Sequence, residues 1–168
     1  MLRATIIEDA IIYKNGNQEL VGIGTITLPD VEHKTESITG LGVIEHEEVI
    51  PTAFNSMSLS LKFINRCKDV MLGPGNVNLT ANAVILVENT ETHDQEEQKI
   101  VVSMKGKVKK TTGGDLGKAT KNETEVELSL TYYKEEIDGM VKHEIDVYNR
   151  QAIVNGVDLY GKIKSLLA

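Results

Sequence analysis

The chain has 168 residues and a mass of 18.5 kDa, 40% hydrophobic and 26% charged, a balance that fits one folded domain over 1–168 and excludes disorder throughout. A net charge of −7 argues against a tight binder of nucleic acid or anionic membrane, since both need a basic footprint. A single cysteine, Cys67, excludes an internal disulfide and any multi-cysteine metal site. No apolar run approaches membrane-spanning length, and the first ten residues carry Arg3, Glu8 and Asp9 with no signal-peptide core, so a chain folded in a cytoplasm is expected.

Strand signals dominate. Residues 10–13 and 20–28 flank Lys14-Asn15-Gly16-Asn17, where Asn-Gly is a strong hairpin-turn dipeptide. After Pro29, residues 31–38 and 43–50 read as the arms of a long hairpin that bends at Gly40-Leu41-Gly42 and ends at Pro51, with few core residues at its tip. Residues 57–63 alternate Met57, Leu59, Leu61 and Phe63 with Ser58, Ser60 and Lys62, the period of a strand with one apolar and one wet face. Serine is an unusual choice for an exterior otherwise crowded with Lys and Glu. The stretch 64–75 has room for one or two helical turns, closed by Gly73-Pro74-Gly75.

Residues 79–87 form another strand, and 88–97, with five acidic residues and no basic one, read as a solvated loop. Residues 100–109 and 123–133 pair around a Gly/Lys/Thr-rich segment, which is expected to set Ser103, Lys105, Lys107 and Lys109 against Glu123, Glu125 and Glu127. Asp138-Gly139 is a turn before a strand at 141–147. A C-terminal helix is expected, capped by Asn155, with Asp158 near its orphan amides and Val157, Tyr160, Ile163 and Leu167 on one face. The fold class is therefore mainly β, a sandwich or partial barrel of about eight strands, with a long hairpin and a C-terminal helix covering a sheet.

Enzyme motifs fail residue by residue. In GDLGKAT the first glycine of a phosphate-binding loop falls on Thr112, and Lys118 precedes Ala119 where Ser or Thr belongs. In VGIGTIT, Gly22 and Gly24 are followed by Thr27 in place of the third glycine of a dinucleotide site. His33, His46, His93 and His143 show no metal-ligand spacing, and the acidic segment lacks the Asp-x-Asp-x-Asp-Gly cage of a calcium loop. No catalytic, cofactor-binding or metal-binding residue emerges, and the chain reads as no enzyme.

Three stretches together are informative: IYKNGNQELVGIGTITLPDVEHKTESITGLGVIE at 12–45, FNSMSLSLKF with LTYYKEEIDGMVKHEID, and the closing VNGVDLYGKIKSLLA. In order and spacing over nearly the whole chain they resemble the major tail tube proteins of contractile-tailed bacteriophages and of phage-tail-like (R-type) bacteriocins. The resemblance implies a structural subunit that forms homo-hexameric rings, stacked into a rigid inner tube inside a contractile sheath, with sheets of six copies completing one barrel. It further implies tail sheath, baseplate and tail-terminator proteins as partners, passage of DNA or ions without specific binding, and no cofactor. Such a protein is assembled in the bacterial cytoplasm and resides in the virion or phage-tail-like particle. The related tube of contractile secretion systems and a free-standing β-barrel binding module are the alternatives, the latter disfavoured by 4% aromatic content and no Trp.

Within that frame, Ser56, Ser58, Ser60 and Lys62 are the first lumen-lining candidates. Glu32, Lys34 and Glu36, and Glu123, Glu125 and Glu127, come next. A conduit for DNA must not hold it, and hydroxyls and carboxylates neutralise no phosphate. The hairpin tip, Gly40, Leu41, Gly42, Val43, Ile44 and Glu45, is the candidate contact between rings, because so thin an apolar pattern cannot fold onto its own core.

Overall fold

Asn15 and Gly16 take positive φ, 53° and 87°, conformations that Asn and Gly adopt most readily, where the chain reverses between β1 (Leu2–Lys14) and β2 (Gln18–Glu19). The computed structural model describes residues 1–16, 18–66 and 72–168. Cys67 and the helical turns expected around it fall outside the described residues. The remaining elements are β3 (Ile23–Thr27), β4 (His33–Gly40), β5 (Val43–Phe54), β6 (Met57–Phe63), β7 (Asn76–Asn89), β8 (Gln95–Thr112), β9 (Thr124–Ile137), β10 (Met140–Asp146), β11 (Gln151–Val154), β12 (Val157–Asp158) and α1 (Gly161–Leu167).

The strand count exceeds the expected eight partly because short pieces pair where sequence shows only turns. Of the strand expected at 20–28 opposite 10–13, only Ile23–Thr27 forms, as β3, and it pairs β6; Leu20 alone stays beside β1, its amide donating to Ile12 O at 2.8 Å. Half of the acidic stretch expected as a loop is ladder, since β7 runs to Asn89 and β8 starts at Gln95. Its turn is tightened by Asn89, whose Oδ1 accepts from the amides of Glu91 and Thr92 at 2.9 and 3.4 Å.

One antiparallel sheet runs β12-β11-β10-β9-β8-β7-β1-β2, with β3 and β6 branching from it. The branch point is β9. On one edge it pairs with β8; on the other, residues 124–130 pair with β6 and residues 132–137 with β10. The sheet curls so that alternate residues meet in one apolar cluster. Leu59, Leu61, Val126 and Leu128 lie fully buried at its centre, with Phe63, Met104, Tyr133 and Ile145 around them. The result is a partial barrel that does not close, mainly β as expected. The hairpin β4–β5 is a separate two-stranded sheet.

The C-terminal expectation needs correction. Asn155 and Gly156, at φ 51° and 79°, make a hairpin turn between β11 and β12, so Asn155 caps no helix. The helix starts at Gly161, where Asp158 Oδ1 accepts from the amides of Tyr160 and Gly161 at 3.1 Å each. It buries no residue, and Val157, Ile163 and Leu167 are exposed, so α1 does not cover the sheet. Asn-Gly served a φ-positive turn better than a cap, and a helix of two turns is too short to carry a packing face of its own.

Candidate assembly surfaces

The wet side of β6 finds its company across the ladders. Ser58, Ser60 and Lys62 lie opposite Ser129, Glu127 and Glu125 of β9, and Ser60 and Lys62 opposite Thr27 and Thr25 of β3. Beyond β9 come Lys107, Lys110 and Thr112 of β8, and Lys109 Nζ donates to Ser58 Oγ at 2.8 Å. The sheet therefore brings Ser58, Ser60, Lys62, Glu125 and Glu127 onto one face. It does not bring Ser56 or Glu123 into the ladders, since both sit in exposed segments just before β6 and β9. Glu32 precedes β4, and Lys34 and Glu36 belong to the separate hairpin, so these three form no part of that face.

The expected Lys–Glu ladder between β8 and β9 is largely absent. Register shifts between Lys105 and Gly106 and between Val108 and Lys110 slide the strands, setting Lys107 opposite Ser129 and Lys105 opposite Tyr132. Lys110 meets Glu127 instead. Lys105 Nζ sits 5.3 Å from the centre of the Tyr132 ring, a cation–π contact. Burial, then the Glu144 carboxylate, pushes the Tyr132 phenol above its usual range.

Sequence reading passed over a further polar column. Asn76, Asn78, Thr80 and Asn82 of β7 alternate with Val77, Leu79 and Ala81 and lie opposite Lys107, Lys105, Ser103 and Val101. The signal was the period-two pattern of NVNLTAN, and it extends the hydroxyl- and amide-rich face two strands past β9.

The hairpin is hydrogen-bonded but almost bare. The tip residues Gly40, Leu41, Gly42, Val43, Ile44 and Glu45 are all exposed, Leu41 and Ile44 at 104% and 90%. Its base is tied down by the Asn55 amide donating to Glu32 O at 2.8 Å, by His33 against Phe54 with ring centroids 4.5 Å apart, and by Tyr160 donating to Thr52 O at 2.6 Å. A cleft of about 770 Å³ opens at this base, with Lys34, Ser56, Phe54 and Arg150 among its walls. On the hairpin, His46 contacts Ile44 O and Glu48 Oε2, both at 3.1 Å, and these partners raise its pKa above 6.5.

An unpaired border completes the picture. β1 is paired along its length with β7, but β2 takes its other edge only at Tyr13 and Lys14. Among the described residues no strand pairs the remaining edge of β1, and β3 pairs β6 alone. Leu2, Ile6, Ile7 and Ile11 along β1 are exposed. The seam between β1 and β3 is where the barrel stays open.

The chain is thus strand-rich, with an open seam and a hairpin exposed beyond its base. The model of phage tail tube protein FII matches residues 4–167. The chain belongs to the phage tail tube protein FII family. This tail tube protein is thus a structural component of a phage tail. No curated protein sequence matches it. Among the described residues no group of three His, Cys, Asp or Glu is placed to hold a metal ion, and no helix is long and apolar enough to cross a membrane.

Proposed function

We propose that this tail tube protein acts as a single domain over 1–168, joining into hexameric rings whose stacking forms the inner tube of a contractile phage tail or phage-tail-like particle. The observation that carries the proposal is the open seam. A β-rich subunit that leaves one edge of β1 and one edge of β3 open exposes an aggregation hazard unless copies seal each other's edges, and a closed heterologous ring does so. Tail sheath, baseplate and tail-terminator proteins are then its partners, and the exposed α1 is available to a surrounding sheath through Lys162, while Lys164 Nζ donates to Asn149 O at 2.9 Å.

The wet sheet face supports a hydrated bore for passing DNA or ions. Ser58, Ser60, Glu125, Glu127 and Ser129 form its least basic part, which suits a wall that must not retain phosphate; Lys62, opposite Glu125, and Lys109, on Ser58, bring positive charge to its margins. Ser56 and Glu123 extend it at the strand ends; Glu32, Lys34 and Glu36 reach the bore only if the hairpin does. The lysines of β8 make the neighbouring strip basic, so the lumen reading requires that strip to face a subunit contact instead.

Negative-stain microscopy of the concentrated purified protein tests the assembly: rings or tubes are expected, and a chain that stays monomeric at every concentration overturns it. Deleting 40–47 tests the hairpin. The variant should remain folded and form no tubes, and undiminished tube formation would remove the hairpin from stacking. A tube reconstruction with a strongly positive lumen sinks the conduit argument.

A further inference from the structure

The loop joining β8 to β9 is built more firmly than a surface connection needs. Asn122, 6% exposed, donates from Nδ2 to Gly113 O at 3.2 Å and to Asp115 O at 2.7 Å, and its Oδ1 accepts from Arg66 Nε at 2.9 Å. Arg66 Nη2 also donates to Gly113 O, and Thr124 Oγ1 to Thr112 O. Gly114, at φ +69°, lies so close to Glu123 O that a Cβ there has no room. Yet this clamped loop holds Leu116 90% exposed at its tip, beside Lys118 and Lys121. Holding a leucine rigidly in water gains the subunit nothing. Ordering a contact in advance gains a complex affinity.

The charge of the strands says what the contact is. β8 is 18 residues long, about 55–60 Å at the usual rise per residue, and its charge changes sign along it. At its start, the β7–β8 turn gathers the exposed Glu91, Asp94, Glu96 and Glu97, with Glu88 behind them. The amino terminus, 3.9 Å from Glu91, with Arg3 and Lys99, offsets them in part. At its end stand Lys107, Lys109 and Lys110, then Lys118 and Lys121 of the loop. Asp115 and Glu123 oppose them within the loop, and Glu127 faces Lys110. The acidic end also exposes apolar side chains, Met1, Leu2 and Met140; the β9–β10 turn that precedes Met140 is held there by the Asp138 amide donating to Lys99 O at 2.9 Å.

We propose that the loop of residues 113–121 docks the acidic β7–β8 turn of a second copy, so that subunits of successive rings stack head to tail with a defined polarity. Leu116 then meets Leu2 or Met140 while Lys118 and Lys121 meet the carboxylates. The reverse arrangements bring acid to acid or base to base and are repelled, which is how a charged interface selects one orientation. A heterologous contact that does not close on itself propagates as a filament, as a tube requires. The inference rests on the tube reading above and adds which ends touch.

The test is a charge swap read by negative-stain microscopy and sedimentation. One variant reverses the turn (E91K, D94K, E97K), the other the loop (K118E, K121E). Each alone should keep rings and lose tube yield by about tenfold or more at ~0.1 M salt, where charges still act over about 10 Å. Mixing the two ring preparations should restore tubes, because each ring now meets its complement only on the other. L116S, at an exposed position, should lower tube yield while leaving rings and thermal stability unchanged. Tubes from either reversed variant alone at the unaltered yield, or a mixture that stays as rings, overturn the inference. An unaltered chain that forms neither rings nor tubes strikes the tube reading instead.

Discussion

The β6–β9 pair and the β4–β5 hairpin are both antiparallel ladders, yet they have opposite standing in the subunit. In β6 every second residue is buried, and Leu59 and Leu61 are sealed completely; in β4 the exposure runs unbroken from Lys34 to Gly40. Backbone hydrogen bonds alone contribute little net stability, because the unfolded chain makes them to water. A two-stranded ribbon without a core is marginal by itself. The first ladder makes the fold. The second leaves both of its faces to solvent within the chain.

The largest effect that separates them is core truncation. Leu59→Ala should cost roughly 2–5 kcal/mol, seen as a shift of the denaturation midpoint, because a sealed site leaves a cavity. Leu41→Ser, at a fully exposed position, should change subunit stability by less than about 0.5 kcal/mol while reducing tube formation. Equal losses from both would abolish the distinction. Hydrogen exchange sharpens it: amides of β6 and β9 should exchange only on global unfolding, those of β4 and β5 by local opening, and the hairpin should gain protection in assembled tubes.

A middle-sized effect belongs to the tether. Tyr160→Phe removes the hydrogen bond to Thr52 O and should cost about 0.5–1.5 kcal/mol, concentrated in faster exchange at the base of β5. Unchanged exchange there would show the hairpin to be held by His33 and Phe54 instead.

Titration gives the smallest effects. Burial, then the Glu135 carboxylate with which it hydrogen-bonds, pushes the Tyr133 phenol well above 10.0. With the folded value raised, the stabilisation is full below pH 10 and is lost as pH rises further, so ultraviolet titration should show one tyrosine, absent in Tyr133→Phe, ionising last. On the hairpin, the carbonyl of Ile44 and then Glu48 raise the His46 pKa, so its contribution is present below pH 6.5 and fades as pH climbs through the folded value. An NMR midpoint above 6.5 that falls back in Glu48→Gln is expected; a midpoint at or below 6.5 refutes the contact.

Alternation and turn chemistry are local properties, and what depends on them could be read directly from the residues. Met57, Leu59, Leu61 and Phe63 are buried as their period requires, the hairpin bends at Gly40 to Gly42, and Asn15-Gly16 and Asp138-Gly139 turn the chain with positive φ. The family resemblance was legible for the same reason, being carried by ordered turns and strands over nearly the whole chain.

Register and partner choice were not local. Two bulges in β8 undid the Lys–Glu ladder; β3 paired β6 in place of β1; and Asn155-Gly156, with the same residue types as a helix cap, made another hairpin. Short strands such as β11 and β12 exist only because a neighbour completes their hydrogen bonds, and Tyr160 reaches Thr52 across 108 positions of sequence. The sequence by itself determined which side of a core strand such as β6 turns from water. Which strands lie beside one another, where the barrel stays open and how charge is divided between its ends were decided by the tertiary structure, because pairing energies depend on distant segments that no local pattern specifies.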